Sequence, residues 1–492
     1  MTKKTLKMLS ILGAMSALGA GYASAVAPDC GPCPNAMFVA KGCETRLVSI
    51  GGLITANYQW RDVKDHTFGP TVTDEDAGLE AFPFGDHEDP DQFSQFYMKH
   101  VRLFIRAELC DNWGAFLSVD FAGRDRTTYL HRSLLEFNSD DRPIEARRNT
   151  IDSDHTCRDR SPLYVDRAYV EKKWCASTFR AGYQKVNFGA EELIPAEYVK
   201  TIDRSVATHY FMNLGHRAVA GQYIPGRHNI EFGGGRFADR HVGLYLSGDA
   251  CNFHYNLAVV NGDQGLCRRR LCKLNNDLGY FAGLAYESCM CDVDVLIGIN
   301  AGYKPDGASF HRTDANDDGD NAVWGLNPYI LANWNCFSFL AEMLYGSVEN
   351  ARLTNMKSDA NPWGVNFIPS YMINDCWEIV ARVSYLNTNR MGTSINNVLG
   401  ATPGCGNTKN HPGTDTRNNT FLSSEPQFNK VTTGYIGLNW YTVNHAVKAT
   451  LGYECAKFKN RFDGPIGGAT PGQFVNDHVI VNTIGAQLQV LF

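Results

Sequence analysis

Hydrophobic and polar residues alternate with a period of two along most of the chain, whereas a helical period of 3.6 residues is almost absent. The alternation is clear in residues 48–60, 97–109 and 480–492, where apolar residues occupy one set of alternate positions. Successive side chains of a β-strand point to opposite faces, so these segments predict strands with one apolar and one polar face. We therefore expect an all-β fold.

Short connections join pairs of these segments and predict seven tight hairpins. They lie at residues 111–112, 175–176, 248–250, 287–288, 334–335, 374–375 and 442–444. Together with a first and a last strand they predict sixteen strands, an even number that lets the sheet close without a free edge. The predicted strands are 46–62, 96–110, 113–124, 163–174, 178–188, 241–248, 252–260, 278–287, 291–303, 322–333, 336–347, 362–373, 376–387, 431–441, 445–456 and 478–492.

Short connections alternate with long ones along the chain. The predicted long connections run over 63–95, 125–162, 189–240, 261–277, 304–321, 348–361, 388–430 and 457–477. Barrels of the outer-membrane type have this asymmetry. We therefore predict that residues 46–492 form a 16-stranded antiparallel transmembrane β-barrel with short periplasmic turns and long extracellular loops. A soluble sandwich or propeller is the alternative, and no repeat of about 40–50 residues supports it.

Aromatic residues lie near both ends of the predicted lipid-facing rows, as the two interfacial girdles of a membrane barrel require. The tight-turn end carries Trp113, Phe337, Trp377, Trp440 and Phe492. The opposite end carries Tyr58, Trp60, Tyr97, Phe121, Tyr303, Tyr345, Trp363 and Tyr385.

The first residues predict export. A basic start with Lys3, Lys4 and Lys7 precedes an apolar stretch and a small-residue cleavage motif at 23–25. This order is typical of a secretory signal peptide, and the apolar stretch is too short to span a membrane as a helix. We predict a signal peptide at 1–25, a periplasmic cysteine-containing segment at 26–45, and a bacterial outer-membrane location.

Composition and motifs argue against several other classes of protein. The net charge of −6 gives no electrostatic support for binding nucleic acid. Cys30 and Cys33 copy the spacing of a thioredoxin-like redox motif, but a proline-rich tail surrounds them where that chemistry needs a helix start. No catalytic or cofactor-binding motif stands out, and we predict neither an enzyme nor a cofactor.

One weak metal motif remains. Asp314, Asn316, Asp318 and Asp320 match the first half of a calcium loop. The twelfth position holds Gly325 instead of glutamate, so an ordinary turn is the favoured interpretation and calcium binding the alternative. No other metal site is predicted.

Several segments resemble a known family. Residues 101–108, 111–113, 167–171 and 179–189 resemble the phosphate-selective porin O and P family, and residues 96–262 carry most of the likeness. Phe492 resembles the carboxy-terminal aromatic signal of outer-membrane barrels. The resemblance implies a sixteen-stranded porin that forms a homotrimer in contact with outer-membrane lipid. It does not establish a preference for phosphate.

A sixteen-stranded barrel encloses a water-filled lumen whose charges set selectivity. The connection at 189–240 is the candidate constriction loop, and a short helix could stack its residues Glu197, Lys200, Asp203 and Arg204. The predicted pore-lining charges are Arg102, Arg106, Asp120, Arg180, Glu342, Glu378, Arg382, Lys448 and Glu454. Because the two signs are nearly balanced, we predict a weakly selective channel for small hydrophilic solutes and ions. The alternative is a channel selective for phosphate or other anions.

Cysteines cluster beside the predicted tight turns. The chain has 15 cysteines, and ten are predicted at the periplasmic rim: Cys30, Cys33, Cys43, Cys110, Cys175, Cys251, Cys289, Cys291, Cys336 and Cys376. An odd number leaves at least one thiol free or paired between molecules. We hypothesise disulfide links to periplasmic or envelope proteins, a cysteine usage that resembles chlamydia-like outer-membrane proteins. A cross-linked structural or adhesive protein is the second functional hypothesis, and reduced or internally paired thiols are the alternative.

Overall fold

The computed structural model describes sixteen ranges of the chain: 36–38, 45–65, 92–109, 112–122, 164–212, 214, 237–261, 278–290, 293–305, 322–349, 351–352, 358–393, 395–399, 428–442, 446–463 and 473–492. The predicted signal peptide, five rim cysteines (Cys30, Cys33, Cys43, Cys110 and Cys291) and the calcium candidates Asp314, Asn316, Asp318 and Asp320 lie outside these ranges.

Strands make up most of the described chain. They are β1 (Ala36–Phe38), β2 (Thr45–Asp65), β3 (Gln92–Leu109), β4 (Trp113–Asp120), β5 (Tyr164–Trp174), β6 (Ser177–Lys185), β7 (Arg240–Ala250), β8 (Phe253–Asn261), β9 (Leu278–Met290), β10 (Val293–Lys304), β11 (Val323–Trp334), β12 (Phe337–Val348), β13 (Trp363–Asn374), β14 (Trp377–Asn387), β15 (Phe428–Thr442), β16 (Val447–Asp463) and β17 (Gln473–Leu491). The helices are α1 (Ala190–Leu193), α2 (Val206–Met212), α3 (Ile395–Leu399) and a 3-10 turn at Ala196–Tyr198.

Each strand from β2 to β17 pairs with its sequence neighbours in antiparallel fashion, and β17 pairs with β2. The sheet therefore closes with sixteen strands, and the predicted fold class is confirmed. The last closing pair is Leu491 with Leu53, and the backbone N–H of Gly52 donates to the Phe492 carbonyl at 2.7 Å. The short strand β1 also pairs with β2, with Ala36 opposite Ile50.

Apolar side chains cover the outside of the barrel and polar side chains its inside. On β14, Trp377, Ile379 and Val383 point outward and are 39, 42 and 59 % exposed, whereas Glu378 and Arg382 point inward and are about 1 % exposed. A barrel in water would show the reverse order. An apolar outer belt around a polar interior is the arrangement that suits a lipid bilayer.

No helix in the described part of the chain has the length and apolar character that crossing a membrane requires.

Aromatic residues next to the tight turns are exposed on the outer face, including Trp113, Trp377, Trp440 and Phe492. Tyr97 departs from its predicted outward position. A β-bulge where β3 passes Thr55 and Ala56 reverses the alternation, so the Tyr97 hydroxyl lies inside and accepts a hydrogen bond from Asn57 at 3.2 Å.

The β16–β17 hairpin extends further than predicted. The sequence analysis placed a loop at 457–477, whereas β16 continues to Asp463 and β17 begins at Gln473. Phe458 from the β16 extension is buried in the main apolar cluster, together with Val479 of β17 and Phe428 of β15. Packing at this end of the barrel, opposite the tight turns, thus maintains strand pairing where the sequence has no strict alternation.

Candidate channel interior

Residues 186–212, which follow β6, lie against the inner wall of the barrel, and we name them the inner segment. Val186 and Phe188 at its start are fully buried, and Phe188 packs edge-on against Phe237 with 4.9 Å between the ring centroids. Gly189 then adopts φ 82°, a left-handed conformation that glycine tolerates, and α1 begins. An apolar anchor followed by a glycine turn thus directs the segment to the wall.

Glu342 on β12 holds both helices of the inner segment. Its carboxylate accepts hydrogen bonds from the Ala190 backbone N–H at 2.7 Å and the Asn366 amide at 2.8 Å. The Thr208 hydroxyl of α2 lies 3.2 Å from the same group. Because Glu342 is 4 % exposed, these donors replace water around a buried charge.

Glu191 secures the start of α2. Its carboxylate accepts hydrogen bonds from the Ser205 backbone N–H at 3.0 and 3.1 Å and from the Thr208 hydroxyl at 2.7 Å. A carboxylate at a helix start satisfies backbone donors that have no partner inside the helix. Thr208 thereby links the α2 cap to the Glu342 site.

Lys200 attaches the middle of the inner segment to β12, β13 and β14. Its ammonium donates to the Ser338 hydroxyl at 2.6 Å, to the Ser370 hydroxyl at 2.7 Å and to the Glu378 carboxylate at 2.7 Å. The Tyr441 hydroxyl donates to the other oxygen of Glu378 at 2.6 Å. A buried carboxylate on the wall is thus paired with a cation from the segment.

Arg382 and Lys99 approach the next turn of the inner segment from two sides of the barrel. Arg382 donates to the Asp203 carbonyl and, at 2.8 Å, to the Glu454 carboxylate. Lys99 donates to the Asp203 carboxylate. Burial would raise the pKa of Asp203, but the Lys99 ammonium, together with His209 and Arg382, holds that pKa below its usual range.

Glu192 forms an ionic cluster with Arg204 and Lys185. The Arg204 Nε lies 3.0 Å from the Glu192 carboxylate, and Lys185 of β6 pairs with the same group. Burial would raise the pKa of Glu192, but Arg204 and Lys185 hold it below its usual range. These ion pairs therefore hold the start of the inner segment to β6 as long as the Glu192 carboxylate is ionised.

Two wall side chains bind backbone carbonyls of the inner segment. Lys448 donates to the Val199 carbonyl at 2.7 Å, and Gln489 donates to the Glu197 carbonyl at 2.9 Å. With the contacts above, the segment touches inward-facing groups of β12, β13, β14, β16, β17 and β3. The inner segment thus covers one side of the barrel wall.

The other side of the wall carries ion pairs among its own strands. Arg102 lies 3.3 Å from Asp120 and 3.3 Å from Asp166, and Arg240 also pairs with Asp166. Nearer the tight turns, Glu171 lies between Arg106 at 2.9 Å and Arg180 at 3.0 Å. Around Glu171 the cations Arg106, Arg180 and Lys173 outnumber the carboxylates Glu171 and Glu108.

All nine predicted pore-lining residues lie on the inner face, in three different settings. Arg102 and Asp120 pair with each other, and Arg106 and Arg180 share Glu171. Arg382 pairs with Glu454. Glu342, Glu378 and Lys448 bind the inner segment. A channel-lining role for each residue stays a prediction.

Four residues were singled out in the predicted constriction loop, and no single helix stacks them. Glu197 lies in the 3-10 turn, whereas Lys200, Asp203 and Arg204 follow it in irregular backbone. Each of the four contacts a different neighbour, because the segment is extended along the wall and fixed at every few residues.

Sequence reasoning missed several inward groups. Glu171 and Arg167 share a face of β5 with Tyr169, a signal that alternation in 167–173 contains. Lys99 was missed because the bulge in β3 reverses the faces. Asn366 was missed because a buried amide partner has no sequence signature.

The described cysteines are not joined to one another. Cys175, Cys251, Cys336 and Cys376 are free thiols exposed at or beside the tight turns, and Cys455 is a free thiol on β16; Cys289 is also exposed at this rim. Cys175 and Cys251 have φ values of 42° and 54°, in the left-handed region that hairpin turns require.

Comparison with known proteins gives a fold-level likeness. No family model and no curated protein matches the chain, so the resemblance to the phosphate-selective porin O and P family stays a prediction. Among solved structures, OmpT of Vibrio cholerae is 10 % identical, with a TM-score of 0.46 over 92 % of this chain and 99 % of that one. The outer-membrane channel DcaP of Acinetobacter baumannii is 12 % identical, with a TM-score of 0.46 over 91 and 97 %. An anion-selective porin from Comamonas acidovorans is 10 % identical, with a TM-score of 0.47 over 90 and 99 %. We base no functional inference on likenesses this distant.

Proposed function

We propose that the protein is an outer-membrane porin, a water-filled channel for passive diffusion of small hydrophilic solutes and ions. The observation that carries this proposal is the closed sixteen-stranded barrel with an apolar outer belt and a charged interior. Closure leaves the described sheet without a free edge, as a spanning sheet in lipid requires. Sixteen strands enclose more space than side chains alone can fill.

We propose that the inner segment narrows this channel. Its backbone follows one side of the wall, and its position is fixed by buried polar contacts to Glu342, Glu378 and Arg382. A segment held by many contacts reduces the cross-section without closing it, because the aromatic and arginine side chains of β3–β6 remain accessible opposite.

Weak selectivity is the favoured behaviour. Most inward charges are already paired with an opposite charge, as in Arg382 with Glu454 and Lys200 with Glu378, which leaves little net field in the lumen. Anion preference is the alternative, and the cation excess beside Glu171 favours it.

Planar-bilayer recording tests the proposal. Purified, refolded protein should insert into a lipid bilayer and give stable conductance steps in KCl. The reversal potential in a tenfold KCl gradient should lie close to zero for a weakly selective pore, and a strongly anion-selective pore would shift it towards the chloride equilibrium potential. A protein that inserts but gives no steps would contradict the channel function.

Export and assembly belong to the same proposal. We propose that residues 1–25 are a cleaved signal peptide, that the tight turns face the periplasm and that three copies assemble. Amino-terminal sequencing of the mature protein should begin near residue 26. Mass determination in detergent should give about three chains per particle, and a monomeric particle would refute the trimer.

A cross-linked structural protein is the second candidate function. The observation that favours it is the set of four exposed free thiols at the tight-turn rim, Cys175, Cys251, Cys336 and Cys376. A disulfide needs α-carbons within about 7 Å, whereas adjacent turns lie two strands apart, about 10 Å. Links to other envelope proteins would use these thiols. Electrophoresis of envelopes with and without reductant decides, after free thiols are blocked during lysis, because a monomer band in both lanes would exclude the cross-linked role.

A further inference from the structure

Three aromatic rings form a row on the inner face of β3, β4 and β5. Phe104 and Phe116 have ring centroids 6.5 Å apart, and Phe116 and Tyr169 have centroids 5.3 Å apart. Both pairs are nearly parallel, with 22° between the ring planes. Inward-facing aromatic rings in a polar lumen need an explanation, since water gives them no apolar partner.

Arginines stand over two of these rings. The guanidinium carbon of Arg167 lies 5.0 Å from the centroid of Phe116, and that of Arg180 lies 5.3 Å from the centroid of Tyr169. Such contacts hold a guanidinium plane against a ring face and leave its outer edge free for an anion. We name this surface the aromatic–arginine wall. It consists of Phe104, Arg106, Phe116, Arg167, Tyr169, Glu171 and Arg180.

The arginines of the wall are accessible. The side chains of Arg106, Arg167 and Arg180 are 42, 32 and 31 % exposed, whereas that of Glu171 is only 5 % exposed. Glu171 therefore lies beneath Arg106 and Arg180 and aligns them. Two further carboxylates approach these arginines: the half-exposed Glu108, 3.9 Å from Arg106, and the buried Asp166, 3.2 Å from Arg167. Three guanidiniums and the Lys173 ammonium against Glu171, Glu108 and Asp166 leave one net positive charge at this surface.

The local sequence is built to keep this surface flat. A Cβ on Gly114 would lie 3.1 Å from the Glu171 Cγ, and a Cβ on Gly51 would lie 2.3 Å from the ring of Phe104. Because glycine has no side chain, Glu171 can pack over Gly114 and Phe104 over Gly51, close to the backbone of the wall. The rings and guanidiniums thus form one layer.

We propose that the aromatic–arginine wall binds planar aromatic carboxylates as they pass through the channel. The proposal rests on the proposed channel function and names a preferred substrate class. A guanidinium fork pairs with a carboxylate through two parallel hydrogen bonds, and the ring attached to that carboxylate packs beside the guanidinium against the row of Phe104, Phe116 and Tyr169. An anion without a ring satisfies only the first interaction. Phosphate is therefore the weaker ligand, and so is an aliphatic carboxylate.

Benzoate is the probe, and cyclohexanecarboxylate and phosphate are the comparison ligands. Calorimetric titration of refolded protein in detergent measures binding directly and does not depend on channel activity. Benzoate should bind at least about fivefold more tightly than cyclohexanecarboxylate, which has the same charge and similar size without the aromatic face. In bilayers, benzoate should reduce the chloride current at concentrations where cyclohexanecarboxylate does not.

Matched variants separate the wall from general effects of charge and folding. Arg180→Gln should weaken benzoate binding about tenfold and Phe116→Leu about fivefold. Lys172→Gln and Phe179→Leu are the controls, since both positions lie on the outer face of this part of the wall, on β5 and β6, with the Lys172 ammonium 5.1 Å from the Trp113 ring centroid. The controls should bind benzoate as the wild type does.

The outcomes distinguish the two proposals. Equal binding of benzoate and cyclohexanecarboxylate, or unchanged binding in Arg180→Gln, would overturn the wall as an aromatic-anion site even if conductance steps occur. Selective benzoate binding without conductance steps would support the wall and refute the channel. If phosphate binds more tightly than benzoate, the wall is an anion site in which the rings have no part, and the proposal fails.

Discussion

The substitution Glu342→Gln tests whether the inner segment is held by the buried carboxylate on β12. The change keeps the shape of the side chain and removes its charge. In the wild type one carboxylate oxygen accepts from Ala190 at 2.7 Å and Asn327 at 2.9 Å, and the other accepts from Asn366 at 2.8 Å. A glutamine has only one oxygen, so its NH₂ group must face at least one of these donors.

These contacts determine how much free energy the substitution should remove from the attachment of the segment. A hydrogen bond to a charged group contributes about 1.5–3 kcal/mol, and an unsatisfied buried donor costs about 1–3 kcal/mol. The nearby Glu191 carboxylate, which shares Thr208 with Glu342, offsets about 1 kcal/mol of this loss, because removing one of two like charges relieves repulsion. We expect the segment to be held more weakly by about 2 kcal/mol, which raises the population of released states about thirtyfold.

Single-channel recording measures this release as open-channel noise and as excursions to higher conductance. Glu287→Gln is the control because Glu287 also faces the interior but lies near the tight turns, 59 % exposed and paired with His254 at 3.0 Å. Glu342→Gln should increase the frequency of large excursions at least tenfold over this control. If the two variants give the same noise and mean conductance, the buried carboxylate does not hold the segment, and our account of the constriction is wrong.

Three further predictions concern pH, backbone and orientation. Because the pKa of Glu192 is lowered in the folded protein, its contribution is complete above the unfolded value of about 4.3 and is lost as the pH falls through the lower folded value; the wild type should therefore show less channel noise than Glu192→Gln at pH 5, and this difference should shrink only below about pH 4. Gly182→Ala should lower the temperature at which the barrel unfolds on gels, because φ is 143° and the new Cβ would lie 2.4 Å from the Ala168 carbonyl, whereas Gly434→Ala, with nothing within 4 Å, should not. A variant retaining only Cys336 should react with a membrane-impermeant maleimide only after the outer membrane of whole cells is permeabilised; labelling in intact cells would place the tight turns outside.

The sequence was sufficient for the barrel because closure and lipid impose a repeating rule. Every strand that crosses the bilayer must alternate, and each tight turn interrupts the alternation at a recognisable place. The prediction failed where that rule ends. The Thr55–Ala56 bulge reverses one strand, and the extension of β16 to Asp463 depends on packing above the bilayer.

The candidate site was less predictable, since its partners lie far apart in sequence. Lys200 and Glu378 are separated by 178 residues, and Ala190 and Glu342 by 152. Alternation placed Glu342 and Glu378 inside the barrel, but it could not tell that each would bind the segment. Charge counting over the whole lumen also hid the difference between its two sides.

That difference decides how a nearly neutral pore can still discriminate. On the side covered by the inner segment, opposite charges such as Lys200 and Glu378 lie 2.7 Å apart, so their electric fields largely cancel in the lumen. On the side of β3–β6, Glu171 is covered by Arg106 and Arg180, so a passing solute meets the cations first. Screening limits bulk charges to a range of about 8 Å at physiological salt, and a permeating ion therefore responds to the surface it touches more than to the total charge. A small reversal potential and selective binding of an aromatic anion are therefore compatible in one channel. The reversal potential depends on the net charge along the lumen, whereas binding depends on the charges that the solute touches.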